Sequence, residues 1–229
     1  MTALFLETST EKGLVALAKE NEILFEASFP TGMQSSNTLL PVIEEGLKKT
    51  SLTIKELVFI AVGVGPGSYT GIRVGVAAAK AFSFACSLPL IGLSTLQTFA
   101  PTSDGPFAVL MDAKIGGVYF QKGEQKGANI TYIGEPKLLA LDAAGVFLKD
   151  IERIFTPTKN SLMHKMASYY PEHRWIWEEV SPRGVQMVKL AREKYRQGEH
   201  SLDGHLELLY LRKTQAEIEK EEFKKRGPL

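Results

Sequence analysis

A chain of 229 residues, 44% hydrophobic and 23% charged, is long enough for one large or two modest domains and has the make-up of an ordinary soluble globular protein. Its net charge of +1 offers no global attraction for nucleic acid, a membrane or acidic substrates, which argues against a stand-alone RNA reader. One cysteine, Cys86, excludes an internal disulfide and fits a reducing, cytoplasmic setting; no secretion leader and no apolar run of about 18 residues is read.

Residues 3–6 read as a short apolar strand ending at Glu7, followed by a polar turn. Residues 13–18 and 23–29 continue it as a three-stranded meander, with a loop around Gly32. Asn37 can cap a helix to about Lys49, in which Leu39, Leu40, Ile43 and Leu47 fall at helical spacing. Pro41 requires that helix either to begin late or to bend. Residues 57–64 form a nearly continuous apolar run, as expected of a strand buried on both faces.

Gly65-Pro66-Gly67 ends that run, and Ser68 is a natural N-cap for a helix of about five turns reaching Cys86. Along this helix Gly67, Gly71, Gly75 and Ala79 recur every fourth residue. Interior glycine costs about 1 kcal/mol against alanine, so something presses close on that side. It can be the sheet beneath, another helix or a second chain, and the sequence leaves own-core and partner packing equally open. The loop also feeds free amides into a helix N-terminus, where an anion could sit. It lacks the Lys-Ser/Thr of a Walker loop and the third glycine of a dinucleotide fingerprint.

Residues 89–93 read as another strand and Ser94 or Thr95 as the start of a brief helix, completing βββαβαβα. The breaker cluster PTSDGP at 101–106 marks a boundary, giving lobes 1–102 and 103–229. The second lobe restarts with a strand ending at Asp112, a turn through Gly116 and Gly117, and a return strand at 118–121. This faint echo of residues 4–16 suggests duplication. Beyond it the pattern degrades. Strands are expected at 129–133, 151–155 and 206–211. Helices are expected at 142–148, 162–169 and 182–196, the last with Val185, Val188, Leu190 and Tyr195 in the core. Residues 215–226 read as a solvated helix or loose tail.

The segment GVGPGSYTGIRVG, residues 63–75, closely resembles the signature of the TsaB family, also called YeaZ. LFLETST, GLVALA, NTLLPVIEEGL, PLIGLSTL, LMDAKIGGVY and the YLR at 210–212 resemble further family blocks in family order. The resemblance implies an α/β fold of the actin, sugar-kinase and Hsp70 superfamily, in two such lobes with the second degenerate. It also implies a non-catalytic role in threonylcarbamoylation of adenosine 37 in tRNAs reading codons that begin with A. The implied partners are the catalytic relative TsaD, the ATPase TsaE and a second copy of the chain, with tRNA touched indirectly.

In that superfamily phosphates and a hydrated Mg²⁺ sit between paired turns. Here Glu7, Thr8, Ser9 and Thr10, the loop Gly65, Gly67 and Ser68, and Asp112 would occupy those places. The favoured alternative is that these residues cap their own turns. Where the family usually has Asp, this chain has Glu7, whose extra methylene moves a ligating oxygen by about an ångström or more; Ser35 and Gly117 replace a usual His and Glu. No two of His164, His173, His200 and His205 are four residues apart, so no pair lines one helix face to hold a metal. Ser68 is not in a GxSxG elbow, so no catalytic residue is assigned. Packing is favoured over base stacking for Trp175 and Trp177.

The expected cofactors are none of its own, with ATP, ADP or Mg²⁺ met weakly through a complex. The expected partner surface comprises Leu39, Leu40, Ile43, Gly67, Tyr69, Gly71, Arg73, Gly75 and Ala79. An ATP-dependent small-molecule kinase and a metallopeptidase-like protein are the alternative readings.

Overall fold

A computed structural model describes residues 1–31, 35–114 and 117–212. The Gly32 loop, Gly116, the side chain of Ser35 and the charged segment 215–226 lie outside the described residues.

The first lobe is built from β1 (Thr2–Glu7), β2 (Lys12–Lys19), β3 (Glu22–Pro30), α1 (Ser35–Thr50), β4 (Phe59–Gly63), α2 (Tyr69–Cys86) and β5 (Leu90–Leu93). A 3-10 turn at Thr95–Thr98 leads out. The strand order is β3-β2-β1-β4-β5, with β1 antiparallel to β2 and parallel to β4. Pro41 lies inside α1, so the helix does not begin late. Ser68 caps α2 as its sequence suggests, accepting from the Gly71 amide at 3.2 Å.

The second lobe repeats the plan with β6 (Gly105–Asp112), β7 (Gly117–Lys126), β8 (Asn129–Ala140), α3 (Ala144–Phe147), β9 (Arg153–Thr156), α4 (Lys159–Ala167), β10 (Ile176–Glu179) and α5 (Gly184–Arg196). Its order, β8-β7-β6-β9-β10, is the first sheet's order over again. The chain therefore adopts the expected α/β architecture of two units with the same strand order, the first ending in the 3-10 turn where the second has α5. The second unit's degeneracy lies in its helices: α3 has 4 residues and α4 has 9. Its strand order is intact, because a sheet's ladder survives loss of helix length as long as both faces stay covered.

The first sheet is covered twice, which explains its apolar runs. Leu4, Leu6, Val15, Ile60 and Val62 face α1 and α2, while Phe5, Ala16, Phe59 and Ala61 face Met187, Val188 and Ala191 of α5. Thus α5, though late in the chain, packs on the first sheet. Val188 is core as expected, but Val185 is 45% exposed: α5 has an open outer side, and Val185 lies on it. Residues 206–211, expected as a strand, form none. They run as an irregular segment whose Leu206, Leu208 and Leu209 lie on the first core and Leu211 on the second.

Tyr132 of β8 fastens the lobes at their base. Its hydroxyl donates to the carbonyls of Gln97 (2.8 Å) and Phe99 (3.2 Å) and accepts from Gln186 of α5 at 3.2 Å. Burial pushes the Tyr132 phenol far up, so it remains a neutral donor.

Candidate functional site

A cleft of about 1000 Å³ opens between the lobes. The ends of β1 and β6, related by the internal repeat, bring Glu7 and Asp112 toward it from opposite sides. Ser9, Thr10, Gly67, Ser68 and Asp112 line the cleft; Glu7, Thr8 and Gly65 do not.

Glu7 is wholly buried behind the wall. Its carboxylate accepts from the Ser9 amide (2.7 Å), the Ser9 hydroxyl and the Thr95 hydroxyl (2.9 Å). The longer glutamate reaches under β4, where a Cβ on Gly63 would stand 2.0 Å from Oε2. Burial drives its pKa up, against the opposing pull of the Ser9 and Thr95 hydrogen bonds. The Thr8 hydroxyl donates to the carbonyl of Gly71 (2.7 Å), which turns it away from the cleft. Gly65 is covered by the carbonyl of Leu209, which a Cβ there would meet at 2.9 Å.

Thr10, Ser68 and Asp112, which do reach the cleft, are also engaged within the chain, whereas the Thr158 hydroxyl in the cleft wall has no hydrogen-bond partner among the described residues. The Thr10 hydroxyl donates to the Lys12 carbonyl at 2.7 Å, and that of Ser68 caps α2. Asp112 Oδ1 accepts from the Lys114 amide (2.8 Å), and Oδ2 from Lys165 Nζ (2.6 Å). Both carboxylates that a hydrated Mg²⁺ would use are thus satisfied by protein donors, and the residues present do not fit that ion. Among the described residues, no group of three or more His, Cys, Asp or Glu could hold a metal. Lys165, Thr95, Tyr119 and Arg212 also belong to this neighbourhood; Thr95, Tyr119 and Arg212 lie in blocks that the resemblance marks, while Lys165 carries no local sequence signal.

The glycine stripe turns inward, which corrects its assignment to a partner surface. A Cβ on Gly71 would lie 2.1 Å from the Thr8 carbonyl oxygen, one on Gly67 2.3 Å from that of Ser9, and one on Gly75 2.3 Å from the Thr8 hydroxyl. Ala79, Leu39 and Ile43 are buried in the same core. The physical reason is close approach of α2 to the turn after β1, which only glycine permits. Arg73 is exposed; it stacks over Tyr69 at 4.1 Å, and its Nε donates to the Tyr210 hydroxyl at 3.3 Å.

Of the expected surface, Arg73, Leu40 and Tyr69 remain exposed, the last two at 52% and 40%. Phe84, which the sequence reading passed over, is 92% exposed. At about 100° per residue it lies opposite Gly75 on the helix, so the stripe itself could have revealed it. The adjacent helices each leave apolar residues exposed, Leu40 and Pro41 on α1 and Ala77, Ala81 and Phe84 on α2.

Trp177 is buried and Trp175 packs against the second core, so the tryptophans serve packing. Among the described residues no helix is long and apolar enough to cross a membrane.

Comparison with known proteins agrees with the fold. Residues 31–171 match the family model described as TsaD: tRNA N6-adenosine threonylcarbamoyltransferase. The tRNA threonylcarbamoyladenosine biosynthesis protein TsaB of Escherichia coli (strain K12) is 32% identical over 141 residues, which is 59% of this chain and 60% of that protein. The protein of the same name from Bacillus subtilis (strain 168) is 32% identical over 122 residues, 52% of this chain and 53% of that one. The matches therefore span little more than half the length of these relatives. The structure of YeaZ from Pseudomonas aeruginosa superposes with a TM-score of 0.78 at 22% identity, covering 92% of this chain and 99% of that one, and so shares the fold. The duplicated sheets, the GPGSYTG turn against β1 and these matches together make the chain a member of the TsaB, or YeaZ, family.

Proposed function

We propose that the chain is a non-catalytic subunit in the synthesis of threonylcarbamoyladenosine on tRNA, docking onto the catalytic TsaD protein through the outward faces of α1 and α2. The observation that carries this reading is a contrast. The carboxylates of Glu7 and Asp112 and the hydroxyls of Thr8, Thr10 and Ser68 are taken up by hydrogen bonds within the chain, while Phe84 and Leu40 stand bare on adjacent helices. An exposed phenylalanine flanked by alanines offers a shallow apolar seat that a second helix pair can fill. The same face would pair two copies of the chain when TsaD is absent. In this reading the ATPase TsaE joins the assembled pair in the cytoplasm, and ATP, ADP or Mg²⁺ is met through the complex. Glu7 and Asp112, the paired carboxylates that a kinase of this fold would use, are both engaged within the chain.

The test is reconstitution. The chain, TsaD and TsaE are mixed with tRNA, ATP and a threonylcarbamoyl donor system, and modified adenosine is measured by mass spectrometry. Modification only when this chain is present supports the proposal; equal modification without it overturns it.

A further inference from the structure

The sequence marks two blocks, GPGSYTG and YLR, that lie far apart in the chain and meet at the mouth of the cleft. The Tyr210 ring packs on that of Tyr69, centroids 5.0 Å apart, and its hydroxyl accepts from Arg73. Just before it, the Leu209 amide donates to the Val64 carbonyl at 2.8 Å, where Gly65 leaves room for the chain to pass. Just after it, Leu211 rests on the second lobe's core, and Arg212 Nη1 donates to the Ala113 carbonyl at 2.9 Å. Within four residues the segment leaves one lobe and grips the other.

We propose that residues 206–212 are a releasable strap that sets the separation of the two lobes, and that its release, rather than a change inside either lobe, opens the cleft. Each lobe has its own packed core, so neither deforms readily. The base of the cleft is held by the Tyr132 hydroxyl and by Glu26, which accepts from the Gly184 amide at 3.0 Å. None of these groups lines the cleft, so they can act as a hinge side. On this side the lobes are also linked, among the described residues, by two exposed ion pairs, Lys114–Glu11 at 3.6 Å and Lys12–Glu179 at 3.8 Å. Such pairs contribute little. The strap has no ladder and leaves Tyr210 39% exposed, which places it among the segments that open first.

The experiment is hydrogen exchange by mass spectrometry on the full chain, comparing Arg212→Ala and Tyr210→Ala with the parent. Release predicts exchange faster by about fivefold or more at both cleft walls, residues 9–12 and 111–114, with β1 and β6 core amides within about twofold of the parent. Tyr210→Phe keeps the ring stack and should stay close to the parent. In a Cys86→Ser background carrying Arg212→Ala, Glu11→Cys and Lys114→Cys joined by a short cross-linker should return both walls to slow exchange. Unchanged walls in both alanine variants, a uniform rise across the cores, or failure of the cross-link to restore protection would each overturn the proposal.

Discussion

Thr8 and Gly71 touch through their backbones as well as through a hydrogen bond. The Thr8 hydroxyl donates to the Gly71 carbonyl over 2.7 Å, and the Thr8 carbonyl oxygen occupies the point where a Gly71 side chain would begin, 2.1 Å from a Cβ. This contact ties the first turn of the chain to α2.

Gly71→Ala should therefore damage the fold itself. The clash is with backbone, which cannot swing aside, so a loss of about 1–3 kcal/mol or more is expected. Urea unfolding of the purified variant measures it. The effect falls on folding rather than on assembly, because the glycine faces the chain's own interior.

Phe84→Ser is the complementary case. With 92% of its surface open, Phe84 contributes little to the monomer, and stability should stay within about 0.5 kcal/mol of the parent. Association with TsaD, followed by size-exclusion chromatography, should weaken at least tenfold, about 1.4 kcal/mol or more.

Glu7 gives a pH signature. Its folded pKa is raised above the ordinary value of 4.5, so the folded state holds a proton that the unfolded chain releases first. Stability from this group is fully present below pH 4.5 and is lost as pH rises toward and through the raised value. Glu7→Gln cannot ionise. Its melting temperature should fall less than the parent's as pH rises from about 4.5 to 8, measured by calorimetry at matched ionic strength.

Tyr132→Phe removes the donor that joins β8 to the linker turn. Two part-buried carbonyls, of Gln97 and Phe99, lose a partner, and Gln186 loses an acceptor. A cost of about 1–3 kcal/mol is expected in chemical denaturation.

Much of this was legible in the chain. The apolar runs of β1, β2 and β4 announce strands because α1, α2 and α5 cover both faces of the sheet. Ser68 announces a helix start because a hydroxyl there satisfies a free amide. The echo between the strands ending at Glu7 and Asp112 announces the repeat. The return of α5 to the first sheet was not legible, since its apolar stripe would fit either lobe.

What the sequence determined by itself was local: where strands and helices lie, which turns break them, and that something small-sided must sit along α2. The tertiary structure decided what lies opposite. It seated the glycines against Thr8 and Ser9, bent Glu7 away to Thr95, gave Asp112 to Lys165 and laid Tyr210 over Tyr69. Periodicity and capping depend on neighbours within a few residues. The use of a carboxylate or a glycine depends on which distant segment the fold brings within about 3 Å.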